Sequence, residues 1–215
     1  MTSEPEWLKV NRALWDEWAG AHAEGPFYDL QGLVGGRSDL RPWELQEVGS
    51  VEGKRLIHLQ SHIGTDSIDW ARRGARVTAL DFSERAIRVV KLMASWAGVE
   101  MTAVEADVYN AVEALGGKRF DIVYTGMGSL NWLPNLDRWA TVVAQLLEPG
   151  GFLYLYEIHP LCMAMNDEGS ALAEPIYAAG FKPYDTGVGS YAAPDRQFEN
   201  TTAYERVHSI GELQT

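Results

Sequence analysis

The sequence predicts an α/β protein whose mostly parallel sheet is covered by helices on both faces. Short apolar runs alternate with amphipathic segments from residue 54 to residue 159, a rhythm typical of strands joined by helices. The apolar runs are rich in Val, Ile, Leu and Tyr, as expected of strands buried on both faces. Helix start and stop signals fall between the runs, which separates the elements clearly.

Five strands are predicted in this central region, and each carries one of the apolar runs. In chain order they are RLIHL, ARVTALD, MTAVEAD, FDIVYTG and FLYLYEIH. A helix is predicted over 65–73, and a second over 83–98 with Ser83 as its N-cap and Gly98 as its stop. A third helix is predicted over 136–151, where EPGG supplies the stop signal.

The N-terminal region is predicted to be helical. Ser3 and Glu6 match a capping box, and apolar residues recur behind them at helical spacing, namely Trp7, Val10, Leu14 and Trp18. We therefore expect an amphipathic helix over 4–23. A loop then leads to a short helix near 41–48.

The C-terminal region has a different composition. Residues 161–200 are rich in Gly, Ala and Pro and carry five aromatic residues, Tyr177, Phe181, Tyr184, Tyr191 and Phe198. TTAYERVH alternates like a strand. Ser209 and Glu212 then form a capping box, three residues before Thr215. A helix of one turn is not stable alone, so we expect the native chain to continue.

Composition narrows the classes of function. Hydrophobic residues make up 46% and charged residues 22% of 215 residues, and the formal net charge is −12. Such acidity argues against nucleic acid as a partner. No apolar run approaches the about 20 residues that span a bilayer, and the N-terminus is not a signal peptide. Cys162 has no second cysteine for a disulfide. We expect a cytoplasmic protein.

The stretch LIHLQSHIGTDS joins the first strand to the next helix, where open α/β sheets bind ligands. A dinucleotide would need glycines that let backbone amides approach its pyrophosphate. Side chains at Gln60 and His62 would crowd that group, with only Gly64 free of one. They are compatible with a ligand that lacks phosphate, such as S-adenosylmethionine (SAM).

Two acidic residues at strand ends fit a nucleoside. Asp81 ends the second strand, 17 residues beyond Gly64 (81 − 64 = 17), near the about 20 expected for an acid that binds ribose hydroxyls. A helix N-terminal charge before Ser83 is an equally open interpretation of Asp81. Asp107 ends the third strand, where a second acid could contact an adenine amino group.

From about residue 50 to 158 the chain resembles the class I SAM-dependent methyltransferases. HLQSHIG overlays their first motif, D-x-G-x-G-x-G, with His58 in place of the acid and Gly64 as the last glycine. The form HLQ-x-H-x-G-x-D, followed by WAR-x-GA-x-V-T, is similar to a bacterial subgroup of small-molecule methyltransferases. NRALWDEWA, FYD, LRPWEL and LLEPGG resemble that family too.

This resemblance implies a Rossmann-like sheet and a set of cofactor contacts. Asp81 would bind the ribose, with Phe82 beside the adenine. Asp107 and Val108 would read the adenine, while Thr125 and Gly126 would lie against the methionine portion. The complete set of expected SAM-binding residues is Tyr28, Gln60, Ser61, His62, Gly64, Asp81, Phe82, Asp107, Val108, Thr125 and Gly126.

Catalytic residues are harder to identify, because methyl transfer from a sulfonium mostly needs an aligned nucleophile. His159, which follows the fifth strand, is the candidate general base, with Glu157 two residues before it. That His159 only caps the strand by hydrogen bonding remains an open alternative. His58 is expected to be a buried, hydrogen-bonded histidine. Trp132 is placed to border a substrate, and no metal site is predicted.

The whole pattern predicts a single domain with a helical lid (1–49), a SAM-binding core (50–159) and a substrate-facing cap (160–215). The family's sheet usually continues after the fifth strand with an antiparallel pair, and the sequence stops before that pair. Either the sequence is truncated, or the 160–208 segment or a second subunit covers that edge. We expect methyl transfer from SAM to a small organic molecule, giving S-adenosylhomocysteine (SAH). A non-catalytic dimerisation protein and a nucleotide-dependent oxidoreductase are the alternatives.

Overall fold

The structure is a computed structural model that describes residues 4–166, 169–172 and 180–214. Its helices are α1 (Glu6–Glu24), α2 (Leu30–Val34), α3 (Pro42–Val48), α4 (Thr65–Arg72), α5 (Glu84–Ala97), α6 (Ala111–Ala114), α7 (Leu136–Leu146), α8 (Pro160–Met163) and α9 (Ile210–Gln214). Its strands are β1 (Arg55–Leu59), β2 (Arg76–Asp81), β3 (Thr102–Glu105), β4 (Phe120–Thr125), β5 (Leu147–Leu155), β6 (Lys182–Asp185) and β7 (Thr202–Glu205). Single turns of 3₁₀-helix occupy Val108–Asn110 and Leu130–Trp132.

Five strands form one sheet in the order β3-β2-β1-β4-β5, and every neighbouring pair is parallel. Ile57 and Val123 pack on one face with Trp139 of α7. Leu56 and Ile122 pack on the other face with residues that include Trp70 of α4. The predicted α/β fold class, with a parallel sheet between two layers of helices, is confirmed.

The strand order places the candidate site between β1 and β4. Both strands run in the same direction, and Leu59 pairs with Thr125 at their carboxyl ends. The loops that follow, residues 60–64 (the β1 loop) and residues 126–130 (the β4 loop), therefore lie side by side. The strand order also reverses here, which is where open α/β sheets form their ligand crevice.

The boundaries of α5 agree with the predicted capping signals. Ser83 Oγ accepts a hydrogen bond from the Ala86 N–H at 3.0 Å, and Gly98 takes the left-handed conformation, with φ 66°. The prediction for α7 and β5 was wrong at their junction. The helix ends at Leu146, and the strand begins at Leu147, which already pairs with Phe120. Long-range pairing in the sheet therefore overrides the local stop signal of EPGG.

The N-terminal helix begins after Pro5 and ends at Glu24, close to the predicted range, and the short helix near 41–48 is α3. Ser3 of the expected capping box lies outside the described residues. The capping box at the other end is confirmed: Glu212 N–H donates to Ser209 Oγ at 3.2 Å, and Ser209 N–H donates to a Glu212 carboxylate oxygen at 2.9 Å. Among the described residues, no helix has the length and hydropathy needed to cross a membrane.

An antiparallel pair is present in the C-terminal region, but it does not extend the main sheet. β7 is the predicted TTAYERVH strand, and β6 pairs with it as a separate two-stranded sheet. Asn11 of α1 holds this sheet, because its side chain accepts from the Tyr204 N–H and donates to the Tyr204 carbonyl, both at 2.8 Å. In the described ranges no strand pairs with the outer edge of β5. Tyr177 lies outside those ranges.

Candidate cofactor site

The β1 loop follows a backbone path that normally requires glycine. Gln60 and His62 have φ of 54° and 49°, in the left-handed region, and Gly64 has φ 78°. A side chain in this region costs about 1–2 kcal/mol per residue, so the loop must be held by other contacts. Ser61 N–H donates to the Leu80 carbonyl at 3.0 Å, and Gln60 Nε2 donates to the Ser129 carbonyl at 2.8 Å.

Gly64 is required by packing as well as by conformation. A Cβ at this position would lie 2.7 Å from Val90 Cγ2 of α5. At that distance the Val90 side chain or its helix would have to shift. The loop therefore keeps a glycine where the Val90 side chain of α5 approaches its backbone.

Asp81 fastens the β1 loop to the start of α5. Its carboxylate accepts from the His62 N–H at 2.8 Å and from the Ser83 N–H at 2.9 Å. Burial raises its pKa to about 6, an effect that these hydrogen bonds partly oppose. Phe82 beside it is half-buried. The position agrees with the interpretation of Asp81 as a charge at a helix start.

The residues after β3 form a turn at the next strand end. Asp107 accepts from the Tyr109 N–H at 3.1 Å and so caps the 3₁₀ turn, while burial raises its pKa. Val108 is buried in the core cluster that includes α7. Asp81 ends β2 as the sequence predicted. The predicted end of the third strand was wrong by two residues, because β3 already ends at Glu105 and Asp107 caps the turn that follows. Both carboxylates are bonded to nearby backbone.

Three buried oxygen atoms at the strand ends have no hydrogen-bond partner in the part of the chain that the structure describes. They are Gln60 Oε1, Ser61 Oγ and Thr125 Oγ1. A buried polar atom left unpaired costs about 1–3 kcal/mol, so a cluster of such atoms indicates a missing partner. Their chemistry fits SAM, whose ammonium and ribose hydroxyl groups donate hydrogen bonds.

The β4 loop is organised by a single carboxylate. Glu157 accepts from the N–H groups of Ser129 and Leu130, both at 2.8 Å, from that of Ile158 at 2.7 Å, and from that of Gly128. The sequence indicated Glu157 only as a companion of His159. In the structure it fixes the backbone that faces the β1 loop.

His159 lies at the start of α8, and its side chain is exposed. Its Nδ1 accepts from the Leu161 N–H at 3.1 Å, which is the geometry of an N-cap. Among the described residues, no three His, Cys, Asp or Glu side chains converge as a metal site requires.

His22 of α1 is a site residue that the sequence did not indicate. Its side chain is fully buried, with Nδ1 2.9 Å from His62 Nε2 and Nε2 2.8 Å from Ser190 Oγ. Burial lowers the pKa of His22 to about 4 and that of His62 well below its usual value, so both rings are neutral at pH 7. The available signal was the spacing of His22 four residues after Trp18, on the buried face of α1.

Aromatic rings from three segments surround His62. Trp15 lies 5.1 Å from its ring and Tyr28 lies 5.6 Å away, centroid to centroid. Trp132 packs edge-on against Trp15 at 5.1 Å. We call the whole group the aromatic wall: Trp15, Trp18, Tyr28, Trp132 and Tyr191. Tyr28 therefore lies beside the β1 loop, and Trp132 is linked to that loop through Trp15 of α1.

Helix α1 is docked on the core and also carries the C-terminal segment. Asp16 accepts from Ser83 Oγ at 2.6 Å and from the Arg85 N–H at 3.1 Å, at the start of α5. Glu17 accepts from the N–H groups of Glu199 and Asn200 at 2.9 and 2.8 Å. The helix therefore connects residues 180–208 to the edge of the sheet where the candidate site lies.

Asp66 is a second residue that the sequence analysis missed. It lies in the first turn of α4 and is half-buried, 3.2 Å from the Tyr124 hydroxyl. Burial raises its pKa to about 7, and the neighbouring carboxylates of Glu44 and Asp39 contribute. The aspartate of the HLQ-x-H-x-G-x-D pattern was the signal that could have found it.

Comparison with known proteins shows similarity to methyltransferases. Residues 47–153 match a family described as a methyltransferase domain. The ubiquinone biosynthesis O-methyltransferase of Photorhabdus laumondii is 30% identical over 137 residues, which cover 62% of this chain and 56% of that protein. Its counterpart in Leptothrix cholodnii is 29% identical over 117 residues, 54% of this chain and 49% of that protein. The chain thus spans about half the length of the curated relatives it matches.

Solved structures share the fold. A SAM-dependent methyltransferase from Mesorhizobium loti superimposes with a TM-score of 0.56 at 20% identity, covering 84% of this chain and 79% of that one. The DhpI-SAM-HEP complex gives a TM-score of 0.60 at 17% identity, covering 99% of this chain and 88% of that one. At these identities the likeness establishes the fold alone.

Proposed function

We propose that this chain, whose residues 47–153 match a methyltransferase domain family, transfers a methyl group from SAM to a small organic molecule. The observation that carries the proposal is the group of unpaired buried oxygens of Gln60, Ser61 and Thr125 at the ligand crevice of this fold. The O-methyltransferase names of the curated relatives support the same reaction class.

The proposed cofactor site uses the residues expected from the sequence. Asp81 would accept hydrogen bonds from the ribose hydroxyls in addition to those from its backbone donors. Phe82, Asp107 and Val108 border the adenine. The residues proposed to hold the methionine portion and to shape its loop are Tyr28, Gln60, Ser61, His62, Gly64, Thr125 and Gly126.

The chain's own contribution to the reaction is alignment and exclusion of water. SAM, when bound, supplies the methyl group and a thioether leaving group. The aromatic wall presents apolar ring surface beside the β1 loop, and α1 covers that edge as a lid. His159 is the proposed base for an acceptor that must lose a proton, and its exposed position means that residues 160–208 would have to enclose it.

The proposal also covers the class of substrate, the cellular location and the oligomeric state. The aromatic wall favours an organic molecule with a planar apolar part, and the net charge of −12 disfavours nucleic acid.

We propose a cytoplasmic enzyme whose β5 edge pairs with a second copy, because Phe152 and Leu155 of that strand are exposed. Light scattering tests the homodimer, and a monomer at micromolar concentration would contradict it.

Calorimetric titration with SAH tests the cofactor assignment, with NADH as the control ligand. The full chain should bind SAH with micromolar affinity and leave NADH unbound. Asp81→Ala should weaken SAH at least about tenfold, because charge-assisted hydrogen bonds to the ribose are lost. The control variant Asp137→Asn, an exposed carboxylate in α7, should bind normally.

Binding of NADH would favour an oxidoreductase, and binding of neither ligand by the folded chain would favour a non-catalytic relative. Methyl transfer itself is followed as SAH release from SAM with a panel of phenols, carboxylic acids and amines. Failure with every acceptor class, in a sample that binds SAH, would contradict the small-molecule assignment.

A further inference from the structure

A wide groove lies at the amino ends of the strands, at the opposite edge of the sheet from the β1 and β4 loops. It is lined by parts of α4 and α5 and by the first residues of four strands, namely Arg55 of β1, Arg76 of β2, Thr102 of β3 and Phe120 of β4. Its volume is about 1420 Å³. Pockets for small molecules usually measure about 300–1,000 Å³, so this groove has room for a longer ligand.

The groove is basic, although the chain as a whole is acidic. Among the described residues that line it, one is acidic, Glu100, and six are basic. The six basic residues are Arg55, Arg72, Arg76, Lys91, Lys118 and Arg119. The lining therefore carries a formal charge of +5 (6 − 1), and the remaining residues carry −17 (−12 − 5). A cluster of positive charge on so acidic a protein favours a negatively charged partner.

Two of the six basic side chains have acidic partners within the protein. The guanidinium group of Arg55 is 3.0 Å from the Glu148 carboxylate and 3.4 Å from that of Asp121. The guanidinium group of Arg72 is 3.9 Å from the Asp69 carboxylate. The fold itself therefore accounts for these two positive charges.

The other four basic side chains have no ion pair in the part of the chain that the structure describes. They are Arg76, Lys91, Lys118 and Arg119. Arg76 donates through Nε and Nη2 to the Gly53 carbonyl at 3.0 and 2.6 Å. Arg119 donates to the Leu147 carbonyl at 3.4 Å. These bonds hold the guanidinium groups in place and leave their charges uncompensated. Arg76 is also the register partner of Arg55, and like charges on neighbouring strands repel each other.

The groove also offers apolar surface. Its lining includes small apolar side chains, namely Ala71, Ala75, Ala94, Ala97 and Ala103. Beside it, Leu92 and Trp96 lie one turn apart on α5 and are 47% and 61% exposed. Trp96 stands in the chain between Ser95 and Ala97, two residues of the lining. Trp and Arg are enriched at the energetic centres of protein interfaces, so their combination here is typical of a docking surface.

We propose that this basic groove is a docking surface for a partner protein, which it recognises through a short acidic segment that also carries apolar side chains. Carboxylates of the segment would pair with the four uncompensated cations, and its apolar side chains would contact the alanines and Trp96. A long nucleic acid fits less well, because the charge of −17 on the remaining residues repels an extended polyanion. The inference uses a different edge of the sheet from the cofactor site and does not depend on the proposed function.

Fluorescence anisotropy tests the docking surface with the full chain and a short labelled peptide in which Glu alternates with Leu. The peptide should bind in the micromolar range, and more weakly as salt is added, because salt screens exposed charges. The same peptide with Lys in place of Glu should not bind. Single-stranded DNA of matched charge and vesicles that contain anionic phospholipid are the competing probes.

Two double variants with the same change in net charge locate the binding surface. Lys91→Glu with Arg119→Glu reverses two charges in the groove and should weaken the acidic peptide at least about tenfold. Lys9→Glu with Lys182→Glu reverses two exposed charges elsewhere and should leave the affinity within about twofold, because salt screens distant charges. Both variants should bind SAH as the wild type does, which shows that they are folded.

The outcomes separate this inference from the proposed function. Equal affinities of the two double variants for the acidic peptide overturn the inference, and so does binding of the DNA or the vesicles without binding of the peptide. A chain that binds the peptide through the groove but does not bind SAH contradicts the proposed function and leaves the docking surface standing. A chain that binds SAH but not the peptide overturns the docking surface and leaves the cofactor site standing.

Discussion

The β1 loop and the β4 loop face each other across the crevice and are stabilised in opposite ways. The β1 loop places Gln60 and His62 in left-handed conformations and leaves side-chain oxygens unpaired. The β4 loop has its backbone N–H groups paired with one carboxylate, that of Glu157. One hydrogen bond, from Gln60 Nε2 to the Ser129 carbonyl at 2.8 Å, joins them.

The two loops therefore have different roles: hydrogen bonds to Glu157 stabilise the β4 loop, whereas the β1 loop is left with groups that a ligand can bind. In the β4 loop the N–H groups of Gly128, Ser129 and Leu130 are paired with Glu157 within the protein. The β1 loop holds strain and unpaired acceptors, which a ligand could relieve on binding. Substitution of Glu157 should therefore act mainly on stability, whereas substitutions in the β1 loop should change both stability and ligand binding.

The largest expected effect is that of Glu157→Ala. It leaves four backbone N–H groups without their acceptor, so we expect a loss of about 3 kcal/mol or more in the free energy of unfolding. Urea denaturation monitored by tryptophan fluorescence measures it. Glu105→Ala, at an exposed position in β3, is the control and should cost less than about 0.5 kcal/mol. Equal losses in the two variants would mean that the β4 loop does not depend on this carboxylate.

An intermediate effect with the opposite sign is expected for Asp66→Asn. Burial raises the pKa of Asp66 to about 7, with further contributions from Glu44, Asp39 and Asp69, while Tyr124 and Tyr28 nearby stay neutral. The folded state therefore favours the protonated carboxyl, and its ionisation lowers stability as pH rises from about 4 to about 7. Asparagine does not ionise. The variant should gain on the order of 2 kcal/mol over the wild type at pH 8 and nothing at pH 4.

Thermal melting of the ligand-free protein at one-unit intervals from pH 4 to pH 8 checks this prediction. A stability difference that is independent of pH would show that Asp66 titrates normally in the folded chain.

The smallest effect concerns the strain in the β1 loop. Gln60→Gly and Gln60→Ala both lose the hydrogen bond to Ser129, but only glycine adopts the left-handed conformation without a steric cost. We expect the glycine variant to be more stable than the alanine variant by about 1 kcal/mol, in chemical denaturation. Equal stabilities would indicate that the loop relaxes and that the strain is not maintained.

The local elements were predictable because their signals are local. Ser83 and Gly98 bound α5 as expected, and each strand of the main sheet overlaps a predicted apolar run, although β5 begins five residues before its run. The five-residue helix α2 was not predicted, since it is too short for a periodic pattern to emerge. The site was predictable in part: the resemblance in HLQSHIG located the β1 loop, and the strand ends located Asp81 and Asp107.

The sequence by itself determined the fold class and the order of the strands and helices along the chain, because hydrophobic periodicity and capping are encoded within a few neighbouring residues. It also indicated the sheet edge at which the cofactor site is proposed. Only the tertiary structure decided which groups meet at that edge. His22 and Ser190 are 168 residues apart, and Gly126 meets Asp66 only because β1 and β4 are neighbours in the sheet. Such contacts depend on the packing of whole elements, and no local pattern specifies the partner.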